Sequence, residues 1–172
     1  MTGSTQNCVS EEELYQTTLQ WIAKRGVELK EIAELTFFLQ KDYLPSLTLE
    51  ECLENVKQVL KKREVQNAVL TGIQLDMLAE RRQLEEPLLD MLVRDEGLYG
   101  IDEVLSMAIL NVYGSIGLTN YGYIDRVKPG VLKRLNDKHD GEIHTFLDDI
   151  VGAIAASASS RLAHNRKQAP PD

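Results

Sequence analysis

The chain has 172 residues, of which 43% are hydrophobic and 27% charged, and its formal net charge is −8. That is an ordinary globular composition, on a chain long enough to bury a core without disulfide or metal staples. The acidic balance argues against nucleic-acid binding and against adsorption to anionic bilayers. The two cysteines, Cys8 and Cys52, make neither a disulfide framework nor a thiolate zinc site.

Residues 1–7 are polar and lack the apolar core of a signal peptide. No apolar run approaches the roughly 20 residues that cross a bilayer. The expected location is the cytoplasm, a reducing compartment, with no transmembrane segment.

Ser10 and Glu13 form a capping-box pattern and Gly26 a stop, so a first helix is expected over about 10–25, with Leu14, Thr18, Trp21 and Ile22 at helical spacing. A second runs from Val27 to Tyr43, with Leu29, Ile32, Leu35, Phe38 and Leu39 on one face, and Pro45 ends it. Thr48 and Glu51 repeat the capping box and open an amphipathic helix through Leu60. The apolar period continues through Val65, Val69 and Ile73 to about Arg82, with a break expected near Lys62–Val65. Lys61, Lys62 and Arg63 read as a solvated face, a phosphate-facing role being the alternative.

Pro87 suits the first position of a helix holding Leu88 to Val93. Gly97 and Gly100 mark a turn, and the next helix starts near Ile101 or Asp102 and runs to Tyr113. Gly114 and Gly117 are read as its end, and Asn120, Gly122, Tyr121 and Tyr123 as a less regular region. Pro129 precedes a helix with Val131, Leu132 and Leu135, and 136–141 is a polar loop. The last helix is expected from about Thr145, its N-cap, to Ala163, with Asp148 in capping-box position. From Gly152 to Ser160 nearly every residue is small, which makes sense only where other helices press close to the backbone. With no alternating strand and no repeat, the fold class is all-α. A single compact domain of about eight helices over 1–172 is expected, with N-terminal helices at 10–82, a motif-bearing region at 86–165 and a disordered tail at 166–172.

Three acidic places stand out: Asp102-Glu103, Asp125 before Lys128-Pro129, and Asp148-Asp149. Each lies at an element's edge, where a carboxylate can meet solvent and a ligand. Brought together, they repel one another, and a hard divalent cation such as Mg²⁺ relieves that repulsion while admitting a phosphate. Lys128 is a candidate phosphate contact and His144 a candidate proton shuttle, since its ring titrates near neutrality. The plain reading remains open: acids in a first helical turn favour the helix dipole, Asp125 is a turn residue and a lone histidine is structural.

The order Asp102-Glu103, Asp125-x-x-Lys128-Pro129, then Asp148-Asp149-Ile150-Val151 with a small-residue helix behind it, resembles the phosphatidylglycerophosphatase A family over roughly residues 100–162. Asp95-Glu96 is a rival for the first pair, which is placed at Asp102-Glu103 because that pair opens an apolar helix. The resemblance implies Mg²⁺-dependent removal of the terminal phosphate of phosphatidylglycerophosphate. It implies Asp102, Glu103, Asp125, Asp148 and Asp149 as the residues that serve the metal and the phosphate, and Lys128 as the substrate contact; Asp148 and Asp149, with His144 added from its place beside them, are the expected catalytic residues. Membrane members of the family carry spanning helices and an N-terminal Pro-Gly-Thr-x-Gly-Ser segment, and this chain has neither, which places it in a soluble branch. Its partners are then a phosphorylated substrate, the lipid at a membrane surface or a soluble phosphomonoester, and further copies of itself in a homo-oligomer. The alternative is a helical metal- or anion-binding regulatory or scaffold protein without catalysis.

Overall fold

A computed structural model describes residues 9–137 and 141–167. Residues 1–7, Cys8, residues 138–140 of the expected 136–141 loop and residues 168–172 of the expected tail lie outside that range. The described residues form nine helices and no strand: α1 (Glu11–Lys24), α2 (Leu29–Gln40), α3 (Leu49–Leu60), α4 (Arg63–Glu80), α5 (Leu88–Arg94), α6 (Ile101–Leu110), α7 (Gly114–Val127), α8 (Val131–Asn136) and α9 (Leu147–Lys167). They enclose one continuous hydrophobic core. None of these helices is long and apolar enough to cross a membrane.

Local chemistry sets the first three helix starts. The Glu13 carboxylate accepts from the Ser10 N–H at 2.9 Å while the Glu13 N–H donates back to Ser10 Oγ at 3.1 Å. Thr48 and Glu51 do the same for α3. α2 begins two residues later than expected because Glu31 accepts from the Glu28 N–H at 2.9 Å. The expected break between α3 and α4 is present, and the buried Gln66 amide donates to the Leu60 carbonyl at 2.9 Å, satisfying a group that the helix end leaves open.

One region differs from the expectation. The stretch read as irregular is α7, the ninth helix. Gly114 follows the end of α6 and opens α7, Gly117 is buried inside α7 against Leu110 and Tyr113, and it is Tyr121 and Ile124 that pack on α9, beside Gly152. Tertiary packing outweighs the low helix propensity of glycine.

α9 is the axis of the molecule. From Phe146 to Ser160 every residue except Asp148 is buried, and the helix packs against α2, α3, α4, α6, α7 and α8. Six neighbours can surround one helix only when its side chains are small. Two of its buried serines are matched: Ser159 Oγ accepts from Gln40 at 2.6 Å and Asn120 at 2.9 Å, and Ser160 Oγ donates to the Tyr113 carbonyl at 2.8 Å. α9 also runs past Ala163. Arg166, placed by the sequence in the tail, is held in the helix by Ser46 at 2.9 Å and Glu51 at 3.1 Å.

The N-terminus of α9 is not capped by Thr145. That hydroxyl donates instead to the Leu92 carbonyl at 2.7 Å, and the cap comes from α4. Asp76, fully buried, accepts from the N–H groups of Phe146 at 3.1 Å and Leu147 at 3.0 Å. One turn earlier on the same face, Gly72 leaves room for Phe146 and Ile150. A Cβ at Gly72 would collide with Ile150 and crowd Leu105 at 3.1 Å, so Gly72→Ala is expected to lower stability in urea by about 1–3 kcal/mol despite the better helix former. Asp76→Ala strands two buried N–H groups, and a loss of roughly 1–3 kcal/mol per group is expected by the same measurement, with Asp76→Asn milder because one acceptor survives.

Candidate active site

The fold gathers the acidic motifs at one end of α9. Asp95, Glu96 and Gly97 come from the α5–α6 turn, Asp102 and Glu103 from the first turn of α6, Asp125 and Lys128 from the end of α7, and Asp148 and Asp149 from the first turn of α9; with Asn136 they line one cleft of about 180 Å³. All five acids expected as metal residues, and Lys128, therefore face a common space, and so does the rival pair Asp95-Glu96.

Lys128 is the cation at the centre. Its Nζ donates to Asp125 Oδ1 at 2.9 Å and Asp148 Oδ2 at 3.1 Å. The other Asp148 oxygen accepts from the Asp149 N–H at 2.9 Å, and Asp102 and Asp149 share a hydrogen bond. Burial raises the pKa of Asp149, and the charges of Asp148, Asp102 and Asp125 raise it further. Burial also raises Asp148, against the pull of Lys128, and raises Asp102. Burial works against the Lys128 ammonium, but Asp148 and Asp125 outweigh it and hold its pKa above the usual lysine range. Tyr121 stands near Asp149, its phenol raised first by burial and then by that charge.

No three Asp, Glu, His or Cys side chains among the described residues stand ready around one point. The donors nonetheless fit a hard divalent cation. They are all oxygens and come in pairs, Asp102 with Asp149 and Asp125 with Asp148 across Lys128. Mg²⁺ characteristically takes one or two carboxylates and fills its remaining positions with water and substrate phosphate.

His144 lies elsewhere. It lines an adjoining cleft, where its Nδ1 faces Arg25 at 3.3 Å and its Nε2 faces Glu142 at 3.1 Å. Burial, helped by the charge of Arg25, lowers its pKa despite Glu142. With both ring nitrogens engaged, His144 is a strut between α1 and the segment that leads into α9. Arg25 also grips Glu80 of α4 and donates to the Ile143 carbonyl at 2.9 Å.

Backbone strain collects here too. Among the described residues, the three non-glycine positions with left-handed backbones, Arg82 (φ 57°), Asp95 (φ 53°) and Lys128 (φ 46°), all line one or both clefts. Such conformations cost energy and persist where the surroundings impose them. Asp76 and Asn136 were not singled out from the sequence. The signal available for Asp76 was an acid set between Leu75 and Met77 in an apolar helical run; Asn136 carried none.

The model of the phosphatidylglycerophosphatase A family matches residues 18–164, which takes in the N-terminal helices as well as the motif-bearing half. The uncharacterized protein YutG of Bacillus subtilis (strain 168) is 69% identical over 144 residues, covering 84% of this chain and 87% of its own. The crystal structure of low temperature requirement C protein from Listeria monocytogenes is 59% identical, with a TM-score of 0.89, covering 92% of this chain and 100% of that one. A protein of unknown function from Bacillus stearothermophilus is 64% identical, with a TM-score of 0.87, over 88% of this chain and 94% of its own. With that match running from α1 to α9 through every acidic motif, the chain belongs to the phosphatidylglycerophosphatase A family.

Proposed function

We propose that the acidic cleft is the active site of a Mg²⁺-dependent phosphomonoester hydrolase that converts phosphatidylglycerophosphate to phosphatidylglycerol and phosphate. The observation that carries this reading is the convergence of Asp102, Glu103, Asp125, Lys128, Asp148 and Asp149 on one cleft in a chain of this family. The carboxylates of Asp102, Asp125, Asp148 and Asp149, with Glu103 at the rim, would hold the cation. When bound, Mg²⁺ polarises the phosphoryl group and offsets its charge. Lys128, already poised between Asp125 and Asp148, turns its ammonium to the phosphate oxygens. Asp149 and Asp148, with pKa values lifted by burial, divide two tasks: holding the cation and taking the proton that the attacking water gives up. His144 fixes the segment before α9 rather than relaying protons.

A lipid substrate is supported by the surface beside the cleft. The outer face of α6 exposes Ile101, Val104 and Met107 next to Asp102 and Glu103, and Leu98 stands out from the preceding turn. An apolar patch of this kind suits contact with a bilayer and a peripheral place at the membrane.

The test is phosphate release from phosphatidylglycerophosphate in mixed micelles, with and without Mg²⁺, beside soluble phosphomonoesters. Mg²⁺-dependent turnover of the lipid is expected. A rise in melting temperature with Mg²⁺ and no turnover of any ester would move the reading to a metal-binding protein without catalysis. Asp148→Asn and Asp149→Asn are each expected to cut kcat/KM by about 100-fold or more, with the thermal transition intact; unchanged turnover in both would remove them from the mechanism. Lys128→Gln is expected to raise KM by about tenfold, the loss of roughly 1.4 kcal/mol of phosphate binding.

A further inference from the structure

One turn from the acids, the three helices that carry them meet again. Ser106 follows Asp102 on α6, Tyr121 precedes Asp125 on α7, and Gly152 follows Asp149 on α9, each on the same helix face as its acid. A Cβ at Gly152 would lie 3.7 Å from Tyr121 Cε2, so the tyrosine ring rests against α9 one turn from Asp149. Ser106 faces the phenol, and the charges that act on it are Asp149 first, then Asp125 and Asp148. Ser106 is fully buried and Tyr121 is only 9% exposed. Yet neither Tyr121 Oη nor Ser106 Oγ has a hydrogen-bond partner of good geometry among the described residues. Burying a hydroxyl without a partner costs stability, and phenylalanine and alanine would fill the same space without that cost. Two other buried hydroxyls lack partners, but Tyr113 lies near Arg161 and Glu64, and Ser157 stands two turns further along α9.

We infer that Tyr121, supported by Ser106, is a positioning residue for Asp149, its phenol being the donor that receives the Asp149 carboxylate when that group parts from Asp102. The inference rests on the metal-dependent reading of the acidic cleft. In this structure Asp149 is engaged by Asp102. A cation between the two acids requires that hydrogen bond to open, and an Asp149 oxygen then needs another donor. Lys128 is already held by Asp125 and Asp148, which leaves the phenol as the free donor on the side of α9. Hydrogen bonds of this kind to a metal-binding carboxylate fix its orientation and raise the affinity of the site. Tyr121 touches neither cation nor substrate; it acts through Asp149.

The experiment is calorimetric titration of the full chain with Mg²⁺ alone, in the wild type, Tyr121→Phe, Ser106→Ala and Tyr123→Phe, beside phosphate release at low and at saturating Mg²⁺. Tyr121→Phe keeps the ring and removes only the hydroxyl. It is expected to weaken Mg²⁺ binding by about tenfold or more, with a thermal transition of the metal-free protein at or above that of the wild type, since a buried unpartnered hydroxyl is gone. Turnover at low Mg²⁺ falls with the affinity and recovers at saturating Mg²⁺. Ser106→Ala moves the affinity in the same direction by less, and keeps the test open should Tyr121→Phe fail to fold. Tyr123→Phe is the control: its phenol is on the outer face of the same helix, stacked on Phe38, and its removal leaves the affinity within about twofold. Unchanged Mg²⁺ affinity in Tyr121→Phe and Ser106→Ala overturns the inference, as does an equal loss in Tyr123→Phe. A lowered thermal transition with unchanged affinity assigns the phenol to packing and overturns it as well. Weakened Mg²⁺ binding in Tyr121→Phe, with no ester hydrolysed by the wild type, removes the hydrolase reading and sustains this one. A wild type that binds no Mg²⁺ overturns both.

Discussion

Asp76 holds the first N–H groups of α9, and the rest of the molecule depends on that contact. A helix starts with N–H groups that have no partner within it. α9 begins inside the protein, so water cannot serve them, and the preceding threonine is turned away to Leu92. The cap must come from another helix, and a carboxylate from α4 supplies it. This sets the register of α4 against α9. Gly72 allows the close approach, Asp76 sets the height, and Asp148 and Asp149 follow at the mouth of the cleft. Packing and chemistry are thus set by the same two helices.

The price appears in the electrostatics. Burial raises the pKa of Asp76, Asp102, Asp148 and Asp149. The compensations are local: the positive end of the α9 dipole, the Lys128 ammonium, and the hydrogen bond between Asp102 and Asp149. A fold selected only for stability would not place so many carboxylates in partial burial or hold Asp95 and Lys128 in left-handed conformations beside them. The strain sits where the family motifs lie.

What could be read from the sequence was whatever is local. The caps at Ser10 and Thr48 lie within four residues, and the break near Lys62 follows from the length of an apolar pattern that a compact domain would not carry as a single rod. The small residues of α9 announced a crowded helix, and the acidic motifs were visible as edge residues. What could not be read depended on distant partners. α7 is helical because Tyr121 and Ile124 pack on α9 beside Gly152, and no propensity over 114–127 contains that. Thr145 has the chemistry of an N-cap, but its hydroxyl is claimed by Leu92 and its place by Asp76, 70 residues earlier in the chain for the bond to Phe146. His144 is next to the acids in sequence, yet it lies ahead of α9 and its ring faces Arg25, 119 residues away.

The pairing of the carboxylates bears on how a cation would bind. Like charges at close range in a poorly solvated cleft can be relieved by protons or by a cation. The shared hydrogen bond of Asp102 and Asp149 is the first solution, and Lys128 between Asp125 and Asp148 is a cationic version of the second. Mg²⁺ would take over both tasks. It would displace the proton between Asp102 and Asp149, so binding and proton release are linked. It would also weaken the hold of the two aspartates on Lys128, freeing its ammonium as a negatively charged phosphate arrives. On the proposed reading, cation and phosphate would favour each other through one lysine, which would let an acidic protein take up an anionic substrate.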